Sequence, residues 1–166
     1  MDPGDGPTDD CPVMNTTQLP DAVEEYLATN RSELYAFTER LVGVDTQNPP
    51  GGTVDAAEWL ESTLEPTNLD LDRVTVDPEK PNLLATLPGA SDRTLCFNGH
   101  LDTVRFDESD WAHDPLGERV DDRIYGRGTT DMKGAVAAML QVALAYDRTD
   151  TEPPLTLQFA FVSDEE

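Results

Sequence analysis

Between Asp21 and Val42 the apolar residues recur at helical spacing, which predicts one broken helix or two short ones over Asp21–Ala28 and Ser32–Val42, with Leu34, Phe37 and Leu41 on one face. The Asn48-Pro-Pro-Gly-Gly52 cluster then forces a loop, and Thr53 is placed to cap a helix carrying Val54, Ala57, Leu60 and Leu64 that Pro66 stops. Three strands are predicted next: the nearly alternating Leu69–Val76, the shorter Asn82–Leu87, and the apolar run Thr94–Asn98. The polar stretch Leu101–Arg127 reads as a long connection holding a short strand at Arg123–Tyr125, and loops of this length are often functional. Asp131–Tyr146 is apolar almost all the way round, so it predicts a helix buried against a sheet. Leu155–Val162 sets Leu155, Leu157, Phe159 and Phe161 on one face of a strand. Strands interleaved with helices predict an α/β layered domain, helices packed on a mostly parallel or mixed sheet.

Charge changes this picture most. Eleven Lys and Arg against 34 Asp and Glu give a formal net charge of −23 over 166 residues, which repels nucleic acid backbones and anionic membrane surfaces. The acids are scattered through nearly every segment, the pattern of a surface kept hydrated in high salt, so a halophilic cytoplasmic home is expected. Residues 1–18 read as a disordered acidic tail ahead of a unit over 19–166. The start lacks the basic and apolar regions of a secretory signal, and no apolar stretch reaches the roughly 20 residues that span a bilayer. Cys11 and Cys96 form neither a disulfide framework nor a metal-ligand spacing. Cys96 is expected in the core, and Cys11 as an incidental thiol of the tail.

Three segments hold nearly all the groups that can do chemistry: Gly99-His-Leu-Asp-Thr103, Gly128-Thr-Thr-Asp-Met-Lys-Gly134 and Ser163-Asp-Glu-Glu166. Each follows a predicted strand or opens a predicted helix. Ligands of open α/β sheets bind outside the carboxyl ends of the strands, so His100 and the Glu165-Glu166 pair are expected on one rim. Asp131 stands where it can cap the buried helix. Histidine with carboxylates suits zinc, with cobalt or manganese as substitutes. A carboxylate such as Asp131 can bridge two ions roughly 3.5 to 4 Å apart. Of two adjacent glutamates, one can bind metal while the other serves as a general base. Asp102 is placed to accept the second imidazole N–H of His100 and fix its tautomer. Taken singly, each feature is ordinarily a structural residue, a solvated acid or a helix cap; their order along the chain and their common rim favour a site.

Gly99-His-Leu-Asp-Thr-Val104, Trp111-Ala-His-Asp-Pro-Leu116, Tyr125-Gly-Arg-Gly-Thr-Thr-Asp-Met-Lys-Gly134 and Asp164-Glu-Glu166 together resemble the co-catalytic zinc family of acetylornithine deacetylase, succinyl-diaminopimelate desuccinylase, aminoacylase and the glutamate carboxypeptidases. The resemblance runs from about Pro81 to Glu166, and weakly through the N-terminal helices. It implies a metal-dependent hydrolase of amide bonds in N-acyl amino acids or small peptides, using two Zn2+. It implies His100 as a ligand of one zinc, Asp131 as the bridge, Glu166 as a ligand of the other, Asp102 as the partner of His100 and Glu165 as the general base. Arg105 departs from the pattern, which often has Pro there, and bears on the substrate pocket without touching the ligands.

A catalytic zinc normally has three protein ligands and an open position, so this set leaves each ion one short. His113, the other histidine, is read as a loop-ordering residue. The resemblance implies that a further acidic ligand, a late histidine and a smaller lid domain, often used for homodimerisation, come from sequence beyond Glu166. The chain is therefore expected to be the N-terminal part of a catalytic domain, incomplete at its C-terminus and inactive alone. Two rivals stand beside this reading: a non-catalytic module that keeps the fold, and a related two-zinc aminopeptidase. The glycines at 126, 128 and 134 permit a tight turn and close helix packing. They do not make a nucleotide loop, because Asp131 stands where a dinucleotide loop needs glycine and no Gly-Lys-Ser/Thr follows.

Overall fold

The computed structural model describes residues 18–166. The tail expected over residues 1–18, with Cys11, lies outside them but for Gln18. Helices α1 (Asp21–Thr29) and α2 (Arg31–Val42) are the two short helices of the first apolar stretch. Asn30 separates them with φ −107° and ψ 30°, and its carbonyl accepts a hydrogen bond from Gln141 Nε2 at 2.7 Å. That contact explains a buried glutamine in an otherwise apolar helix.

The two-residue strand β1 (Gln47–Asn48), helix α3 (Val54–Leu64) and strands β2 (Asp70–Val74), β3 (Asn82–Leu87), β4 (Thr94–His100) and β5 (Thr103–Val104) follow. A single 3-10 turn at Glu108–Asp110 and the hairpin β6 (Glu118–Val120) and β7 (Arg123–Tyr125) fill the long connection. Helix α4 (Lys133–Arg148) and strand β8 (Thr156–Val162) complete the order. The main sheet runs β2-β3-β8-β4; β8 is antiparallel to β3 and parallel to β4, so the sheet is mixed.

Alternation in β3 and β8 sends Leu83, Ala85, Leu87, Leu157, Phe159 and Phe161 to one buried face. Helices α3 and α4 cover that face, and α1 and α2 pack on the outer side of α4. The result is the layered α/β arrangement expected from the sequence. Arg148 ties the end of α4 to α1 and α2 through Glu33 at 2.8 Å and through the Tyr26 hydroxyl.

Cys96 corrects an expectation, because it is exposed. In β4 the register sets Leu95 and Phe97 beside Leu157 and Phe159 on the helix-covered face, so Cys96, paired with Gln158, faces the other way. β4 is also an edge strand of this sheet, bonded among the described residues to β8 alone. Among the described residues, no helix is long and apolar enough to cross a membrane.

Candidate metal centre

Strands β4 and β8 run side by side in the same direction, with His100 opposite Val162 at their carboxyl ends. His100 and the Ser163–Glu166 segment therefore share a rim, as the sequence predicts. The His100 side chain is nearly buried, and its Nδ1 lies 3.0 Å from the backbone carbonyl of Asp102. A carbonyl only accepts, so the proton belongs on Nδ1, and Nε2 of the neutral ring presents a lone pair. Asp102 thus fixes the tautomer, but through its main chain: its carboxylate Oδ1 is 3.6 Å from Nδ1, beyond hydrogen-bond reach.

Nε2 faces Asp131 Oδ1 at 3.2 Å and Glu165 Oε2 at 3.7 Å. Asp131 does not cap the helix. Helix α4 starts at Lys133 with Met132 in the cap position and no side-chain cap bond. The turn before it, closed by Lys133 N–H donating to the Gly128 carbonyl at 2.8 Å, holds Asp131 toward His100 instead. Gly128 has φ +87°, and a Cβ on it would lie 2.9 Å from Thr103 Cγ2, so glycine is required where this turn crosses β5.

The Asp102 carboxylate is fully buried, with 0% of the residue exposed. It accepts the N–H of Glu165 on Oδ1 at 3.2 Å, and on Oδ2 the N–H of Glu166 at 3.0 Å and Asn48 Nδ2 at 3.1 Å. The main chain of both glutamates is therefore held on this one carboxylate. Ser163 is anchored beneath them: its N–H donates to Asn82 Oδ1 at 2.8 Å, its hydroxyl donates to the Pro81 carbonyl at 2.9 Å, and it meets Thr53 Oγ1 at 2.6 Å. Thr53 occupies the cap position of α3 without capping it. Lys80 pairs with Asp164. Its hydrogen bond, then that of Asn48, holds the Asp164 carboxyl below the usual carboxylate range.

Asn48, Thr53 and Lys80 were not singled out from the sequence as site residues; Asn48 stood there only in a loop-forming cluster. Lys133 is also unexpectedly buried, at 1% exposure, with Nζ donating to the Val44 carbonyl at 2.7 Å. Burial pushes its ammonium down to about 8, against the opposing pull of Asp45 and Asp102.

His100, Asp131 and Glu166 each offer a ligand atom, all within 4.8 Å of one another. With Nδ1–H committed to the Asp102 carbonyl, these atoms are all electron-pair donors facing each other, an arrangement that a cation stabilises. One imidazole with carboxylates fits zinc. His113 stays outside this group, stacked on Tyr125 at 3.9 Å and facing Glu118 at 3.2 Å. Arg105 donates through Nε to the Pro49 carbonyl at 2.9 Å. A cavity of about 370 Å³ between α2 and the β6–β7 hairpin, lined also by Thr129, Thr130 and Gly134, contains none of the ligand residues.

Residues 96–166 match the family model described as peptidase family M20/M25/M40. The chain is 35% identical over 153 residues to N-formyl-4-amino-5-aminomethyl-2-methylpyrimidine deformylase of Halalkalibacterium halodurans, covering 87% of this chain and 36% of that protein. It is 39% identical over 117 residues to succinyl-diaminopimelate desuccinylase of Xanthobacter autotrophicus, covering 68% and 30%. Human carnosine dipeptidase 1 superposes with a TM-score of 0.74 at 25% identity, covering 87% of this chain and 34% of that one. An M20 family metallo-carboxypeptidase of Sulfolobus solfataricus shares the fold, with a TM-score of 0.67 at 21% identity over 78% of this chain and 30% of that one. The chain spans about a third of the length of the relatives it matches.

Proposed function

Because residues 96–166 belong to peptidase family M20/M25/M40, we propose that the protein hydrolyses amide bonds in N-acyl amino acids or small peptides, with two zinc ions and a glutamate base. The observation that carries this reading is the convergence of His100, Asp131 and Glu166 at the carboxyl ends of β4 and β8, with Glu165 beside them. The names of the relatives support the reaction class. Deformylase, desuccinylase and dipeptidase differ in what flanks the bond, and an amide is the bond common to them.

His100, Asp131 and Glu166 would hold the metal, His100 for one ion, Glu166 for the other and Asp131 shared between them. The bound metal supplies Lewis acidity, polarising the scissile carbonyl and lowering the pKa of the attacking water. Glu165 takes a proton from that water on its carboxylate, which is 61% exposed and lies 3.7 Å from His100 Nε2. The water oxygen bonds to the carbonyl carbon, the carbon–nitrogen bond breaks, and Glu165 returns the proton to the leaving nitrogen. His100 keeps Nε2 free for the metal because the Asp102 carbonyl holds the proton on Nδ1.

Two variants of the protein test this, assayed on N-acyl amino acids and dipeptides with metal content measured in parallel. Glu165→Gln retains its metal and loses about 10²- to 10⁴-fold in kcat, the usual contribution of a general base. Asp131→Ala loses the metal. Turnover undiminished in Glu165→Gln would remove the base from the mechanism.

A further inference from the structure

We propose that Asn48 is a positioning residue of the metal centre, the neutral donor that locks Asp102 and the Glu165–Glu166 segment together; the inference rests on the hydrolase reading above. Asn48 Nδ2 lies 3.1 Å from Asp102 Oδ2, 3.0 Å from Asp164 Oδ1 and 2.7 Å from the Glu166 carbonyl. All three partners only accept, and they come from the ends of two different strands. The amide reaches them because β1 pairs in parallel with β5, setting Asn48 opposite Val104, two residues past Asp102.

The side chain is also held from behind. Gly51 closes a turn by donating its N–H to the Gln47 carbonyl at 2.8 Å. It has φ +74°, and a Cβ there would lie 2.7 Å from both Asn48 Cγ and Oδ1. The glycine therefore leaves room for the amide in this orientation.

The chemistry of the position explains the residue type. Oδ2 of Asp102 receives Asn48 and Glu166 N–H, while Oδ1 receives Glu165 N–H. Without the amide, the Asp102 carboxylate loses a donor that fixes its rotation, and the main chain of both glutamates loosens with it. Lysine would supply donors but bring a positive charge against the metal. Aspartate would match the shape but set a fourth acceptor against three. The amide brings two N–H donors to the three acceptors, of which Asp164 is also paired with Lys80, and as a neutral group it keeps the negative charge that would hold the ions.

The test uses the purified full-length protein and three variants, Asn48→Asp, Asn48→Ala and Gly51→Ala. It reads zinc affinity by chelator competition, the absorption spectrum of the cobalt-substituted protein, kcat and KM separately, and the melting temperature with chelator present. Asn48→Asp is expected to lower affinity for the Glu166-held ion and kcat by about 10- to 100-fold, the usual cost of losing a group that orients a ligand. KM should change far less and the cobalt spectrum should shift, while metal-free melting falls by no more than the several degrees that one lost donor to a buried carboxylate costs. Gly51→Ala, which crowds the amide without removing it, should move the same readouts in the same direction. Zinc affinity and kcat within threefold of wild type in both Asn48 variants would overturn the inference while leaving the hydrolase reading intact. So would losses matched by a drop in metal-free melting with an unchanged cobalt spectrum, which is the signature of a merely structural residue. A wild-type protein that binds no zinc sinks the hydrolase reading and this inference with it.

Discussion

Replacing Lys133 by Met gives a sharp test of the packing behind the candidate metal centre. Lys133 is among the largest fully buried side chains, and its one hydrogen bond is to the Val44 carbonyl. Folded, it holds its proton only to about pH 8; its ordinary value is 10.5. The unfolded chain therefore binds the proton more tightly, and below pH 8 the charged lysine costs the fold about 3 kcal/mol. Between pH 8 and 10.5 the folded lysine has lost its proton while the unfolded one keeps it, so this cost fades and wild-type stability rises. Met has a similar volume and no charge, but it leaves the Val44 carbonyl without a donor, a loss of about 1–3 kcal/mol at any pH. At pH 7 the two effects nearly cancel, and Lys133→Met should be as stable as wild type or slightly more so. Near pH 10 only about 1 kcal/mol of the lysine's cost remains, so the balance should have moved toward the wild type by about 2–3 kcal/mol relative to pH 7. Urea unfolding of both proteins at pH 7 and pH 10, with chelator present and ionic strength fixed, reads the difference directly. A gap between them that does not change with pH would refute the buried, proton-poor lysine.

Gly134→Ala should destabilise by about 1–3 kcal/mol, the usual cost of overpacking, because its Cβ would lie 2.3 Å from the Thr129 carbonyl oxygen, a backbone atom that cannot swing away. Urea unfolding checks this, and wild-type stability would show that the turn carrying Asp131 shifts freely. The net charge of −23 predicts a melting temperature that climbs by several degrees from 0.1 M to molar KCl, as the screening length falls from about 10 Å to about 3 Å. A flat or falling curve in a salt titration would remove the halophilic reading.

The long elements were legible in the sequence because burial imposes a period on them. Leu157, Phe159 and Phe161 alternate because one face of β8 meets α4, and the 3.6-residue pattern of α2 and α4 records their packing on each other. Strands β1 and β5 are two residues each, too short to carry a period, and they are defined only by pairing with one another across 56 residues. Cys96 was misplaced because an apolar run does not reveal which strand lies at a sheet edge. Asp131 illustrates the converse: local rules allow a helix cap, but the helix begins two residues later, and the carboxylate is drawn to His100.

The site was legible as a set of residue types and not as a mechanism of assembly. His100, Asp131 and Glu166 stood out because metal chemistry constrains their identity. What brings them together is a buried acid and its donors, and those contacts span 54 residues from Asn48 to Asp102 and 64 from Asp102 to Glu166. Such partners leave no local signature, since a loop asparagine before Pro-Pro looks the same whether or not its amide has a distant acceptor. The arrangement also ties stability to function. Asp102 is satisfied in part by the main-chain N–H groups of the two glutamates whose side chains lie near His100. Anything that displaces Glu165 or Glu166 therefore leaves part of a buried carboxylate unpaired, a cost of about 1–3 kcal/mol or more for a charged group. The buried acid thus resists that displacement, and a bound cation, by favouring the folded arrangement over the unfolded chain, adds to the same resistance through mass action.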